Sequence, residues 1–256
     1  MQNEKVNATP EAPIVDFLIG GVQKGGTSAL HSMLSCHPEL YLPDVKELHF
    51  FDRDTTYQPS APDYAFYHRY FADKHVNSKC GEATPSYFFT DPVADRVKKY
   101  NPSMKWIILL RHPVLRAYSH WNMQRVRGWE KLDFFNALEA ETDRLRTLPE
   151  KERPRFAYAA RGHYAAQIRR LLSFFDLSQC LFIKSQSLYK NSNACLESIV
   201  QFLGVTEFDF PELKIRIGDY QTSLSNEQIA ELSKRFASDM HETNKLTGVN
   251  LEQAIF

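Results

Sequence analysis

A single α/β domain with a central, mainly parallel sheet flanked by helices is the fold this sequence predicts, on three observations. Short apolar runs rich in β-branched residues alternate with amphipathic helical patterns, as in successive βαβ units. The first run feeds a glycine-rich, P-loop-like turn that opens directly into a helix. The chain of 256 residues suits one domain of this class, and no repeat or Gly/Ser-rich linker divides it.

The elements follow in order. Residues 1–13 (MQNEKVNATPEAP) are polar and read as a flexible tail, leaving 14–256 as the domain. IVDFLIGGV (14–22) is the first strand, and a helix over 27–35 ends before His37-Pro38. Residues 80–84, before Pro85, form a weaker strand candidate. Asp91 and Pro92 read as the N-cap and first residue of a helix over 93–100. KWIILLRH (105–112) is the strongest strand, followed by helices over 114–127, 134–146 and 163–175 with apolar residues at three- and four-residue steps. CLFIKSQ (180–186) is another strand, and the helix over 196–203 stops at Gly204, a natural C-cap. Residues 227–246 read as one long amphipathic helix ending at Gly248. In such a sheet, ligands bind beyond the carboxyl ends of the strands.

Composition excludes several classes. Lys+Arg and Asp+Glu both number 31, so no global field recruits nucleic acid or an anionic membrane, and an anionic ligand must be met by local clusters. The four cysteines are scattered and the nine histidines lack ligand spacing, so no metal is expected, and free thiols suit a cytoplasmic protein. No run approaches the ~18 apolar residues of a membrane span, and the N-terminal stretch has no signal-peptide core.

Three stretches carry chemistry. In IGGVQKGGTSAL (19–30) the glycines let backbone N–H groups approach an anion, and Thr27 and Ser28 add hydroxyl donors. The pattern departs from an NTPase loop: the position expected to hold lysine is Gly26, and Lys24 lies two residues earlier. There it can sit over a bridging oxygen where leaving-group charge develops; a tight turn with a surface lysine is the plainer alternative. In RHPVLRAYSHW (111–121), Arg111 ends a strand and Ser119 lies about two helical turns on. They make a second anion site, or else a sheet-edge Arg and a solvated Ser. In KELHFFD (46–52), Glu47 and His49 point the same way if the segment is extended, and an apolar wall can raise a carboxylate pKa for work as a base. An amphipathic edge strand with a solvated Glu is the alternative. The aromatic-rich 57–71 reads mainly as packing. The arginine-bearing tract 144–161 reads as loops or a lid beside the cleft, either meeting the acceptor or forming a solvated face. Arg161, Gly162 and Tyr164 open a helix where an anion contact is open.

Together these stretches resemble the sulfotransferases that use 3′-phosphoadenosine 5′-phosphosulfate (PAPS), in the carbohydrate branch of the heparan-sulfate enzymes and their bacterial relatives. GEATPSYFF (81–89), RGHYAAQIRRLLSFF (161–175), LFIKSQSLYKN (181–191) and IVQFLGV (199–205) are similar to later segments of that family, in order. The resemblance implies that Lys24, Gly25, Gly26, Thr27 and Ser28 hold the 5′-phosphosulfate and that Lys24 stabilises the leaving oxygen. It implies that Arg111 and Ser119 bind the 3′-phosphate. It further implies that Glu47 deprotonates a hydroxyl or amine, with His49 assisting, and that 3′,5′-ADP is left. Two departures stand out. Ala83 replaces a lysine that touches anionic substrate, and residues 208–225 lack the cysteine-closed cofactor loop, for which Lys214 or Arg216 is a substitute. With zero net charge, a glycan, glycolipid or small hydroxyl compound fits the acceptor better than a long polyanion. An altered nucleotide kinase would need an apolar run ending in Asp to hold Mg²⁺, whereas these strands end in Arg-His and Lys-Ser. A silent PAPS- or glycan-binding module retains no reason for both Lys24 and Glu47.

Overall fold

The computed structural model describes residues 14–211 and 223–252. Five strands, all paired in parallel, form one sheet: β1 (Val15–Gly21), β2 (Leu40–Tyr41), β3 (Lys79–Ala83), β4 (Lys105–Leu110) and β5 (Cys180–Lys184), in the order β2-β3-β1-β4-β5. The four strands read from the sequence are β1, β3, β4 and β5: β1, β4 and β5 are shorter by two residues than expected, and β3 is shifted by one residue toward the N-terminus. The two-residue β2 is too short to leave a periodic signal. After β3 the chain returns to the far side of β1, so the order reverses between β1 and β4, and their carboxyl ends bound a crevice.

Alternation along the strands divides the core. Phe17, Ile19, Ile107 and Leu109 face one side with Leu30, Met33 and Leu34 of α1 (Thr27–Leu34). Leu18, Trp106, Ile108 and Leu110 face the other, under Val97 of α2 (Val93–Tyr100) and Val114 and Ala117 of α3 (Pro113–Val126). Next come α4 (Phe134–Thr147), α5 (Tyr164–Leu172), α6 (Ser192–Leu203), α7 (Asn226–Ser233) and α8 (Ala237–Thr247). Leu196, Ile199 and Leu203 of α6 join α1's layer, whereas Ile168 of α5 and Met240 of α8 join α2's. The result is a helix–sheet–helix sandwich, and Gly204 ends α6 in the left-handed region at φ 71°.

Three local expectations are corrected. The long helix expected over 227–246 is broken by a 3₁₀ turn at Lys234–Phe236, because the Phe236 ring turns inward to lie 5.0 Å from the His163 ring. That break lets Asp239 of α8 accept the Tyr164 amide at 2.8 Å, which caps α5. Pro92, not Asp91, stands at the start of α2, and Asp91 instead pairs with Arg170. The tract 144–161 is only partly loop, since it ends α4, contains a helical turn at Arg153–Phe156 and buries Tyr158 and Arg161. The aromatics of 57–71 do pack: Tyr57, Tyr67 and Phe71 are buried, with Phe50 stacked 4.5 Å from Tyr67.

At Gly81 of β3 a Cβ would meet the Phe17 ring at 2.2 Å. Gly81→Ala is therefore expected to destabilise the protein by ~1–3 kcal/mol in urea unfolding, as overpacked cores do. An unchanged midpoint would mean that the Phe17 ring does not cover this glycine.

Candidate active site

The turn after β1 is held by backbone alone before any ligand is considered. Val22 donates to the Leu109 carbonyl at 3.1 Å, and Gly25 donates back to Val22 at 2.8 Å. A Cβ on Gly25 would lie 2.6 Å from the Leu109 oxygen and 2.9 Å from that of Val22, so only glycine fits. Lys24 (φ 70°) and Gly26 (φ 103°) are left-handed, and Thr27 begins α1 with no side-chain cap on its first turn. The uncapped N–H groups and the helix dipole thus face the crevice. Two neighbouring strands clamp the loop from outside: Ser185, after β5, donates to the Gly25 carbonyl at 2.5 Å, and Arg111, after β4, donates to the Lys24 carbonyl at 3.0 Å.

On the other side of β1, the Glu47 amide donates to Ala83 at the end of β3, at 3.0 Å. Tyr87 Oη accepts the Phe50 and Phe51 amides at 2.9 and 3.3 Å, and Arg96 donates to the Phe51 carbonyl at 2.9 Å. The segment is not extended as the sequence reading supposed. Glu47 (φ 57°) and His49 (φ 53°) are both left-handed, and this folding, not strand alternation, brings the two side chains together. His49 Nε2 lies 3.7 Å from Glu47 Oε2, and its Nδ1 lies 2.8 Å from Asp52 Oδ2. Ser86 Oγ donates to the same Asp52 oxygen at 2.5 Å. Asp52 was missed by the sequence reading although it closes KELHFFD; its role depends on the chain doubling back. Lys46, missed likewise, donates to the Ser28 hydroxyl and ties this segment to the glycine loop.

The electrostatics of Glu47 also differ from expectation. The hydrogen bond from His49 outweighs partial burial and lowers the Glu47 pKa instead of raising it; the side chain is 48% exposed. Burial works against the His49 imidazolium, but hydrogen bonds to Asp52 and Glu47 overcome it and push its pKa up to about 9. Burial likewise opposes the Asp52 carboxylate, yet His49 and Ser86 hold its pKa below the ordinary value. Near neutral pH the triad is an ionised Glu47, a protonated His49 and an ionised Asp52. Glu47 is then ready to accept a proton.

Arg111 stands at the crevice mouth, its carbonyl accepting from Tyr164 Oη at 2.8 Å. Ser119 is buried on α3, the helix that begins two residues after Arg111. Thr27 and Ser28 open α1 beside Lys24. Arg216 and Lys214 lie outside the described residues. Lateral order is the main result: Glu47 is anchored on β3, the Lys24 loop on β1 and Arg111 on β4, which are consecutive strands. Among the described residues no three His, Cys, Asp or Glu are grouped to hold a metal ion, and no helix is long and apolar enough to cross a membrane.

The triad sets a pH dependence. With a folded pKa of about 9 against an ordinary 6.5, the His49 imidazolium favours the folded state. Its contribution is complete below the lower value and disappears as pH rises through the higher one. The urea midpoint is expected to fall across that window, and His49→Gln to flatten the fall; a His49 ring signal, assigned by its loss in His49→Gln, titrating near 6.5 in wild type would contradict the triad.

Comparison with known proteins adds the family. Residues 15–214 match the family model described as a sulfotransferase domain. The chain is 29% identical over 205 residues to heparan sulfate glucosamine 3-O-sulfotransferase 5 of Mus musculus, covering 79% of this chain and 56% of that protein. It is 30% identical over 206 residues to bifunctional heparan sulfate N-deacetylase/N-sulfotransferase 2 of Homo sapiens, covering 75% of this chain and 22% of that protein. It thus spans about half of the one relative and about a fifth of the other. The crystal structure of a sulfotransferase from Alicyclobacillus acidocaldarius superposes with a TM-score of 0.77 at 30% identity, covering 94% of this chain and 97% of that one. The chain belongs to the sulfotransferase domain family.

Proposed function

We propose that the protein transfers a sulfuryl group from PAPS to a hydroxyl or amine of an acceptor, leaving 3′,5′-ADP. One observation carries the reading: Glu47, the glycine loop with Lys24, and Arg111 stand in that order over β3, β1 and β4. A donor with a 5′-phosphosulfate and a separate 3′-phosphate matches the loop and the Arg111 site together. Lys24, Gly25, Gly26, Thr27 and Ser28 hold the phosphosulfate, and Arg111 with Ser119 takes the 3′-phosphate; Arg216 is proposed as a further contact.

In the proposed step the acceptor oxygen or nitrogen attacks sulfur in line, and Glu47 accepts its proton. As the new bond to sulfur forms, the bond from sulfur to the bridging oxygen breaks, and its electron pair stays on the 5′-phosphate. Lys24 neutralises that oxygen. His49, fixed by Asp52, holds the Glu47 carboxylate in position. The reaction needs no metal, because Lys24 and the loop amides supply the positive charge where the leaving group develops its own.

The names of the relatives support a glycan-like acceptor and include both O- and N-sulfation. Buried Ala83, at the position where the resemblance expects a lysine, favours an uncharged glycan, glycolipid or small hydroxyl compound over a long polyanion.

Incubation with PAPS and a panel of such acceptors, read by mass spectrometry, tests the reading. Sulfated product is expected, with Glu47→Gln losing at least ~10²-fold in turnover while binding 3′,5′-ADP within a few fold of wild type. Unchanged turnover in Glu47→Gln would remove Glu47 as the base. Arg111→Ala is expected to weaken 3′,5′-ADP by about 2–3 kcal/mol, as loss of a charge-assisted contact does. Unaltered affinity would remove Arg111 from the site.

A further inference from the structure

Arg161 is an unusual cation. It sits in the 3₁₀ turn Ala160–Gly162 ahead of α5 with only 5% of its surface exposed. Its backbone is fixed on both sides: Glu141 accepts the Ala159 and Ala160 amides at 2.6 and 2.8 Å, and Gln167 donates to the Arg161 carbonyl at 3.3 Å. Its guanidinium lies over the Phe89 ring at 4.5 Å. Phe89 is held in turn, because Arg170 donates to the Phe88 and Phe89 carbonyls at 2.8 Å each and the Phe88 amide bonds Gly20 of β1 at 2.9 Å. The side chain is therefore placed by the same strand that carries the anion loop.

Despite this, the guanidinium has no hydrogen-bond or ion-pair partner among the described residues, and its Nε is enclosed and unpaired. Its surroundings add to the demand for an anion. Arg116, fully buried, has Nε and Nη1 unpaired, and buried His120 has Nδ1 unpaired. Burial and repulsion by Arg116 lower the Arg161 pKa to about 9, while the Asp52 and Glu47 charges attract it from beyond bonding distance. His120 is repelled by Arg116, Arg161 and Lys24 together. The Phe89 ring beneath the guanidinium belongs to the turn whose Ser86 accepts the Phe89 amide at 3.1 Å and bonds Asp52 through its hydroxyl. Phe88 of the same turn bonds Gly20, so contacts link Arg161 to both the triad and the end of β1. A buried charge lacking a partner destabilises a fold unless a ligand supplies the counter-charge.

Under the donor assignment proposed above, on which this inference rests, the group lying between Lys24 and Glu47 is the sulfuryl in transit. We propose that the Arg161 guanidinium hydrogen-bonds a non-bridging oxygen of that sulfuryl group, making Arg161 a third catalytic residue beside Glu47 and Lys24. Lys24 serves the leaving oxygen, and Arg161 serves the oxygens that stay on sulfur. A planar fork, buried and pre-set by stacking on Phe89, needs no reorganisation when charge shifts during transfer. The guanidinium keeps its protons throughout.

The test is calorimetric titration of wild type, Arg161→Met and Arg161→Lys with PAPS and with 3′,5′-ADP, which lacks the sulfuryl, alongside melting of the unliganded proteins. Arg161→Met is expected to lose about tenfold or more in PAPS affinity and to keep 3′,5′-ADP within about twofold. Arg161→Lys is expected to recover part of the loss. The unliganded Arg161→Met protein is expected to melt no lower than wild type, since it sheds an unpaired buried charge. Equal loss for both ligands, with a lower melting temperature, would show a structural role and overturn the inference. Unchanged PAPS binding would overturn it too and leave the donor assignment standing. Wild type binding neither ligand would remove the donor assignment itself.

Discussion

The parallel pairing of β1 with β4 is the constraint on which the site depends. It puts the Leu109 carbonyl under Val22 and against the space a Gly25 side chain would occupy, so the backbone of one strand shapes the loop at the end of the other. The same pairing delivers Arg111 to the Lys24 carbonyl. The two proposed anion sites are therefore not independent features that happen to be near one another. They share a hydrogen bond, and their spacing is set by strands ~4.8 Å apart in a close-packed core. β3 extends the logic to the other side, where Ala83 takes the Glu47 amide and fixes Glu47, the proposed base, relative to the loop.

Backbone strain concentrates at this point. Among the described residues the non-glycine residues with positive φ are Lys24, Glu47, His49, Gln58 and Asn77, and the first three carry the proposed chemistry. Such conformations cost of order 1 kcal/mol each and persist where surrounding bonds over-determine them. Here those bonds are visible: Arg111 and Ser185 on the loop carbonyls, Tyr87 and Arg96 on the 50–51 backbone, and Asp52 on His49. The buried cations Arg161 and Arg116 are a second departure from a comfortable core. Stability is given up where an anionic ligand can restore it.

Much of this was legible in the sequence because the signals are local. Gly25, Gly26 and Thr27 follow directly on a strand and open a helix, so loop, strand and helix could be read together. Glu47 and His49 could be named from composition, but the reason offered was wrong: two left-handed residues, not strand alternation, bring them together. The pairings of Asp52 with His49 and Lys46 with Ser28 need the chain to fold back, which no periodicity encodes. The break at Phe236 arises from packing against His163, far away in sequence. The burial of Arg161 could not be read from its sequence neighbours at all, since it depends on Phe89, Glu141 and Arg116 arriving from three other elements.

The central claim is that two linked anion sites take one donor. Calorimetric titration with 3′,5′-ADP, 5′-AMP and Mg-ATP, without acceptor, tests it most directly. Micromolar binding of 3′,5′-ADP, with 5′-AMP far weaker and no dependence on Mg²⁺, is the predicted result. Equal affinity for 5′-AMP and 3′,5′-ADP, or a preference for Mg-ATP, would contradict it.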